Sequence, residues 1–176
     1  MSHDERSGTG TSRKRASGQG SLSRHRGCRV LLTRRERLLR PAWLPIKKTL
    51  QKLLSDHNIE GTLSVVFVTD SEIQNVHAEF LGEDRPTDVL SFPLLTPDEA
   101  PVVDRETVFG EVVVSAETAL REAKNRRLPA SREAALYVIH GTLHLVGFDD
   151  HSSPDRRRMR RAERHYVDLY RALGGD

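Results

Sequence analysis

The stretch IHGTLHLVGFDDHSSPD, from Ile139 to Asp155, contains three of the eight histidines of the chain. His140 and His144 lie four residues apart, so on a helix their side chains project from one face, one turn apart. Gly147 then marks a natural helix stop, and His151 follows it within a few residues. Two ligands on a helix, a glycine turn and a third ligand beyond the turn can converge on one metal ion.

The chemistry of these side chains favours zinc. Neutral imidazole is a standard zinc ligand, and three protein ligands with an open fourth position are typical of catalytic zinc sites. A water in the open position has a pKa near neutrality, which makes hydroxide available for hydrolysis. We therefore predict one Zn²⁺ per chain, bound by His140, His144 and His151. His140 is also the candidate catalytic residue, with a metal-bound water as nucleophile or base.

The residue after His140 argues against one familiar zinc chemistry. In H-E-x-x-H metalloproteases a glutamate at this position acts as the general base, whereas here the position is Gly141. The spacing is that of a zincin, but the protease base is missing. If a carboxylate acts as general base in its place, the nearest candidates by motif are Asp88 and Asp149.

The rest of the chain is consistent with one domain. Its 176 residues can bury one sizeable core, and 36% are hydrophobic and 30% charged. The single cysteine, Cys28, excludes an internal disulfide and a cysteine-based zinc site. No apolar run approaches the roughly 18–20 residues of a membrane span, and no secretory signal is recognisable.

Charge is distributed unevenly along the chain. Residues 1–50 carry 13 lysines and arginines against three acidic residues, a net charge of +10, whereas residues 51–176 carry 15 against 22, a net −7. Residues 1–25 have almost nothing to bury and are predicted to be a disordered basic arm, which either contacts a polyanion or is simply solvated. Residues 26–173 are predicted to form the single folded domain.

Helical and strand patterns alternate through that domain. Strands are predicted near Cys28 and over 62–68, 89–93 and 109–115, and residues 96–107 are expected to be a loop. Helices are predicted over 43–54, after a Thr69–Glu72 capping box, over 116–127, from Ser131 and after the N-cap Ser153. The pattern indicates an α+β fold, with a small mixed sheet packed against helices and a zincin-like metal-binding helix near the C-terminus.

Three motifs together resemble the YbeY family. HGTLHLVGFDDH is similar to the family signature His-Gly-x-Leu-His-Leu-x-Gly-x-Asp-His. PTDVLSFP (86–93) and GEVVVS (110–115) resemble two further family motifs, and the likeness extends from Cys28 to Leu173. The resemblance implies a single-domain, zinc-dependent endoribonuclease of the bacterial cytoplasm, with zinc held by three histidines. It implies single-stranded RNA as substrate, ribosomal RNA and the ribosome as partners, and roles in maturing the 3′ end of the small-subunit RNA and in ribosome quality control.

The sequence departs from the family pattern at two positions. The third family histidine aligns with Asp150, and a histidine follows one residue later, at His151. Either the loop is one residue longer and His151 reaches the metal, which we prefer, or Asp150 is the ligand. Leu81 stands where many family members carry an arginine that is considered important for activity, and Arg85 does not align with it.

The residues that contact RNA are less well defined by the sequence. The last helical segment is rich in arginine, a residue suited to phosphate recognition, although charged helices are more often only solvated. Arg85, Arg157 and Arg161 are the RNA-binding candidates. Two other functions stay open: a zincin-type hydrolase of another substrate class, such as a peptidase, and a non-catalytic ribosome-associated RNA-binding factor with a structural zinc.

Overall fold

A computed structural model describes residues 27–95 and 106–176 and shows an α+β domain. The elements in chain order are β1 (Cys28–Arg34), α1 (Trp43–Asp56), β2 (Gly61–Val68), α2 (Asp70–Leu81), β3 (Val89–Pro93), β4 (Val108–Ser115), α3 (Ala116–Arg126), α4 (Ala130–Leu145) and α5 (Ser153–Ala172). The predicted fold class and the predicted strands and helices are confirmed, with boundaries shifted by one or two residues. The arm over 1–25 and most of the loop over 96–107 lie outside the described residues, so the predictions about them stay predictions.

The four strands form one mixed sheet in the order β1-β2-β4-β3. β1 pairs parallel with β2, β2 pairs parallel with β4, and β3 runs antiparallel to β4 at the edge. The pairing of β2 with β4 brings together two strands that are 40 residues or more apart along the chain, for example Val65 with Val112. The order of the strands in the sheet therefore depends on tertiary packing and does not follow their order along the chain.

Both faces of the central strands are buried. Successive side chains of a strand point to opposite faces. Leu63, Val65 and Phe67 therefore join the main core with α1, α3, α4 and α5. Val66 and Val68 join a smaller cluster with Ile73 of α2 on the other face. This two-sided burial explains why β2 is an almost continuous run of apolar residues.

The last two helices define the position of the candidate site. α4 packs between β3 and β4 on one side and α5 on the other. α5 begins one residue earlier than predicted, because the hydroxyl of Ser152, and not that of Ser153, accepts the backbone N–H of Asp155 at 3.2 Å.

Within the part of the chain that the structure describes, no helix combines the length and apolar composition needed to cross a membrane.

Candidate metal centre

Two imidazoles face each other at the C-terminal end of α4. The Nε2 atoms of His140 and His144 are 3.1 Å apart, and the two rings lie edge to face with centroids 4.6 Å apart. Two nitrogens bound to one tetrahedral zinc at about 2.05 Å would lie about 3.3 Å apart. The spacing of four residues along α4 has therefore placed two nitrogen donors at the separation that one zinc ion requires.

The other ring nitrogen of each histidine is held by the surrounding protein. Nδ1 of His140 lies 2.7 Å from Oε1 of Glu163 on α5, and Nδ1 of His144 lies 3.1 Å from the carbonyl oxygen of Phe148. Since both partners accept hydrogen bonds, each Nδ1 carries the proton in the neutral ring and each Nε2 presents a lone pair. Lone pairs 3.1 Å apart repel each other unless a cation or a shared proton lies between them. Metal-ligating histidines are commonly oriented in this way by a carboxylate or a carbonyl group.

The turn after α4 brings a carboxylate to the same point. Gly147 adopts a φ of 93°, a conformation that favours glycine, and the chain reverses there. Oδ1 of Asp149 accepts the backbone N–H groups of Asp150 and His151, and the Arg156 guanidinium donates to the carbonyl oxygens of the same two residues. Oδ2 of Asp150 then lies 4.0 Å from Nε2 of His140. Single ligand atoms of His140, His144 and Asp150 all lie within 4.8 Å of one another.

The predicted third ligand, His151, points elsewhere. Its side chain is 91% exposed, and its Nε2 lies 3.5 Å from Oδ1 of Asp149. Among residues 27–95 and 106–176, the ligand atoms of His151 cluster with those of Asp149 and Asp150. They do not cluster with the ring nitrogens of His140 and His144. The structure thus brings three of the four candidate ligands together and leaves His151 outside.

The charge around His140 favours a cation. Burial lowers the pKa of His140, but the hydrogen bond and the charge of Glu163, together with the charges of Asp150 and Asp88, outweigh burial and raise it. The same negative field that stabilises a protonated imidazole also stabilises a metal ion. Two imidazole nitrogens and one carboxylate oxygen form a ligand set that suits zinc and leaves a fourth position for a substrate or water.

Gly141 faces the sheet and not the metal centre. A Cβ built on it would lie 2.7 Å from Oγ of Ser91 and 2.8 Å from Cγ1 of Val112, which is too close for any larger side chain. The Ser91 hydroxyl also donates to the carbonyl oxygen of Gly141 at 3.0 Å. The position that holds the catalytic glutamate in zincin proteases is therefore a packing contact between α4 and the sheet.

The two candidate carboxylate bases are engaged in the local backbone. Oδ1 of Asp88 accepts the N–H of Val89 at 2.9 Å, and Oδ1 of Asp149 accepts two N–H groups of its own turn. Both carboxylates therefore bind backbone N–H groups close to the candidate centre.

The other sequence-derived candidates lie on the surface. Nε of Arg85 donates to Glu83 at 2.7 Å, and Leu81, in place of the family arginine, is 59% exposed at the end of α2. Arg157 and Arg161 are exposed on α5. Glu163, which orients His140, was not anticipated. It lies 23 residues after its partner, among several arginines, and no spacing in the sequence links the two.

The fold and the centre define a class: an α+β protein with a zincin-like pair of helical histidines and, close to them, a carboxylate from the following turn. The family model for Endoribonuclease YbeY matches residues 40–171. Endoribonuclease YbeY of Pelotomaculum thermopropionicum is 38% identical over 104 residues, covering 59% of this chain and 68% of the relative. Endoribonuclease YbeY of Desulforamulus reducens is 35% identical over 129 residues, covering 73% and 83%.

A solved structure shows the same fold. The solution structure of a Thermotoga maritima protein matches with a TM-score of 0.56 and 26% identity, covering 81% of this chain and 88% of that one. The chain belongs to the endoribonuclease YbeY family. The resemblance seen in the three sequence motifs is thereby confirmed.

Proposed function

We propose that this protein is a metal-dependent endoribonuclease that cleaves single-stranded RNA. The observation that carries the proposal is the pair of Nε2 atoms of His140 and His144, 3.1 Å apart and next to Asp150, in a chain of the endoribonuclease YbeY family. The substrate in the cell is ribosomal RNA, and the protein acts with the ribosome in the bacterial cytoplasm. Its roles there are maturation of the 3′ end of the small-subunit RNA and ribosome quality control.

The metal is one zinc ion per chain, held by His140, His144 and Asp150. The sequence favoured His151 as the third ligand, but we choose Asp150. The turn at Gly147 brings the Asp150 carboxylate near the ring nitrogens of His140 and His144, whereas the His151 side chain is 91% exposed. When bound, zinc supplies a Lewis-acid charge next to the scissile phosphodiester. Carboxylate oxygen is an ordinary zinc ligand, so the ligand set stays chemically reasonable.

The protein itself orients the ligands and holds their protons. Glu163 keeps the His140 proton on Nδ1 and so leaves Nε2 as a donor, and the Phe148 carbonyl does the same for His144. Arg156 and Asp149 fix the backbone of the turn that carries Asp150. Gly141 fills the position of the protease base with a packing contact, which disfavours peptide hydrolysis.

Cleavage of a labelled single-stranded RNA by the purified full chain tests this function. We expect cleavage that a chelator abolishes and added zinc restores, no cleavage by His144→Ala, and no digestion of casein by any preparation. The control variant Glu79→Gln, which removes an exposed charge on α2, should cleave like the original chain. RNA that stays intact with a fully zinc-loaded protein would contradict the endoribonuclease proposal and favour a structural zinc. Digestion of casein would favour a peptidase.

A further inference from the structure

A groove of about 410 Å³ lies between α4, α5 and the C-terminal end of α3. Its apolar lining comes from Leu128, Leu136 and Val167. Four arginines surround this apolar surface: Arg126, Arg132, Arg160 and Arg164. Guanidinium groups around a groove suit the phosphates of a nucleic acid.

Each acidic residue that lines this groove lies close to a basic side chain. Glu133, which is only 1% exposed, pairs with Arg126 at 2.7 Å. Glu163 accepts from His140 at 2.7 Å, and Asp168 lies 3.6 Å from Arg171 outside the groove.

Three of the four arginines that line the groove have no acidic partner among the described residues. The side chains of Arg132, Arg160 and Arg164 form no ion pair or hydrogen bond with any residue in 27–95 or 106–176. Three positive charges that the described residues leave unpaired favour the binding of an anion that carries several charges.

The groove adjoins the candidate metal centre. Glu163 lines the groove, and its carboxylate contacts Nδ1 of His140. Arg156, Arg160 and Arg164 are spaced by four residues on α5, so they lie along one face, about 6 Å apart along the axis. The first of them donates to the backbone carbonyl of Asp150. The row of arginines therefore begins at the turn of the metal centre and continues into the groove.

We propose that this groove binds the phosphodiester backbone of the single-stranded RNA next to the cleavage site, with Arg132, Arg160 and Arg164 as phosphate contacts. The inference rests on the proposed endoribonuclease function and names the surface that positions its substrate. It differs from the prediction of Arg157 and Arg161 as RNA-binding residues, because those two arginines do not line the groove.

Binding of a fluorescent, 2′-O-methylated single-stranded RNA, measured by anisotropy at several salt concentrations, tests the groove. Arg160→Gln/Arg164→Gln should raise Kd about 10-fold and reduce the slope of log K against log salt by about 1.4, since each lost phosphate contact removes about 0.7. Arg132→Gln, on the opposite side of the groove, should raise Kd about 3-fold. The control Arg37→Gln/Arg40→Gln removes two exposed arginines between β1 and α1 and should leave Kd within about 2-fold. All variants should keep the melting temperature of the original chain.

The outcomes separate this inference from the function on which it rests. If the original chain binds and cleaves RNA but Arg160→Gln/Arg164→Gln binds it equally well, the groove is wrong and the function stands. Equal losses in the groove variant and the Arg37/Arg40 control would also overturn the groove, because binding would then follow net charge alone. A larger loss in Arg157→Gln/Arg161→Gln would place the RNA on the outer face of α5. If the original chain neither binds nor cleaves RNA, both proposals fail.

Discussion

The orientation of His140 depends on one carboxylate from another helix. Glu163 is the only partner of Nδ1 of His140 within the described residues, at 2.7 Å. We expect Glu163→Gln to weaken zinc binding about 10-fold or more, because the neutral amide is a poorer acceptor and the ring becomes a weaker ligand. Competition with a chromophoric chelator measures this affinity. Asp168→Asn, which removes one negative charge from the same helix, should leave it unchanged, and equal affinities of the Glu163→Gln variant and the original chain would contradict the role of Glu163.

At the scale of residues, the sequence predicted what depends on spacing and missed what depends on packing. The four-residue interval between His140 and His144 requires only a helix, so the pair was predictable. The choice between Asp150 and His151 depends on how the chain turns after Gly147, and the sequence alone does not define the path of that turn. Glu163 reaches His140 only because α5 packs on α4, and no local pattern encodes that contact.

At the scale of elements, one aspartate joins two helices and a strand. Asp70, in the first turn of α2, accepts hydrogen bonds from Ser115 at the end of β4 and from Thr118 and Arg121 of α3. Burial raises the pKa of Asp70, but these three partners outweigh burial and hold the pKa below its ordinary value. The carboxylate therefore stabilises the contact between α2 and α3 in its ionised form.

This lowered pKa gives a stability prediction with a definite sign. The stabilisation is complete above the pKa of the unfolded state, about 3.9, and is lost as the pH falls through the lower pKa of the folded state. Asp70→Asn should lower the free energy of unfolding at pH 7 by about 1–2 kcal/mol, and the difference should shrink below about pH 4. Urea unfolding at a series of pH values measures this. The control Glu79→Gln on the same helix should change stability little, and a difference for Asp70→Asn that grows toward acid pH would contradict the account.

The sequence predicted the elements better than their boundaries. The Thr69–Glu72 capping box was recognisable, and the structure shows both of its hydrogen bonds. The start of α5 was misplaced by one residue, because Ser152 and Ser153 offer the same hydroxyl and only the geometry of the turn selects one.

At the scale of the whole molecule, the uneven charge predicts that residues 1–25 contribute to RNA binding but not to the stability of the fold. Residues 1–25 have little apolar surface to bury, so deleting them should leave the melting temperature nearly unchanged. The deletion should also flatten the salt dependence of RNA binding, since the basic residues of this segment would no longer contact phosphates. Thermal unfolding and anisotropy measure the two effects. A large fall in melting temperature would contradict the first expectation, and an unchanged salt slope the second.

The α+β class was predictable because helical and strand periodicities alternate along the chain. The strand order β1-β2-β4-β3 was not, because the parallel pairing of β2 with β4 forms across α2 and β3. That order places the antiparallel β3 at the edge, where the Ser91 hydroxyl donates to the carbonyl oxygen of Gly141 in α4. The position of the candidate metal centre thus depends on packing between distant parts of the chain, which no local sequence pattern displays.

Bound zinc per chain, measured by mass spectrometry on folded variants, tests the central claim most directly. The original chain and His151→Ala should each retain about one zinc, whereas His140→Ala, His144→Ala and Asp150→Ala should each lose most of it, since a site of three protein ligands does not hold zinc tightly with two. Full zinc in His140→Ala and His144→Ala would contradict the metal centre itself. Full zinc in Asp150→Ala together with loss in His151→Ala would assign the third ligand to His151.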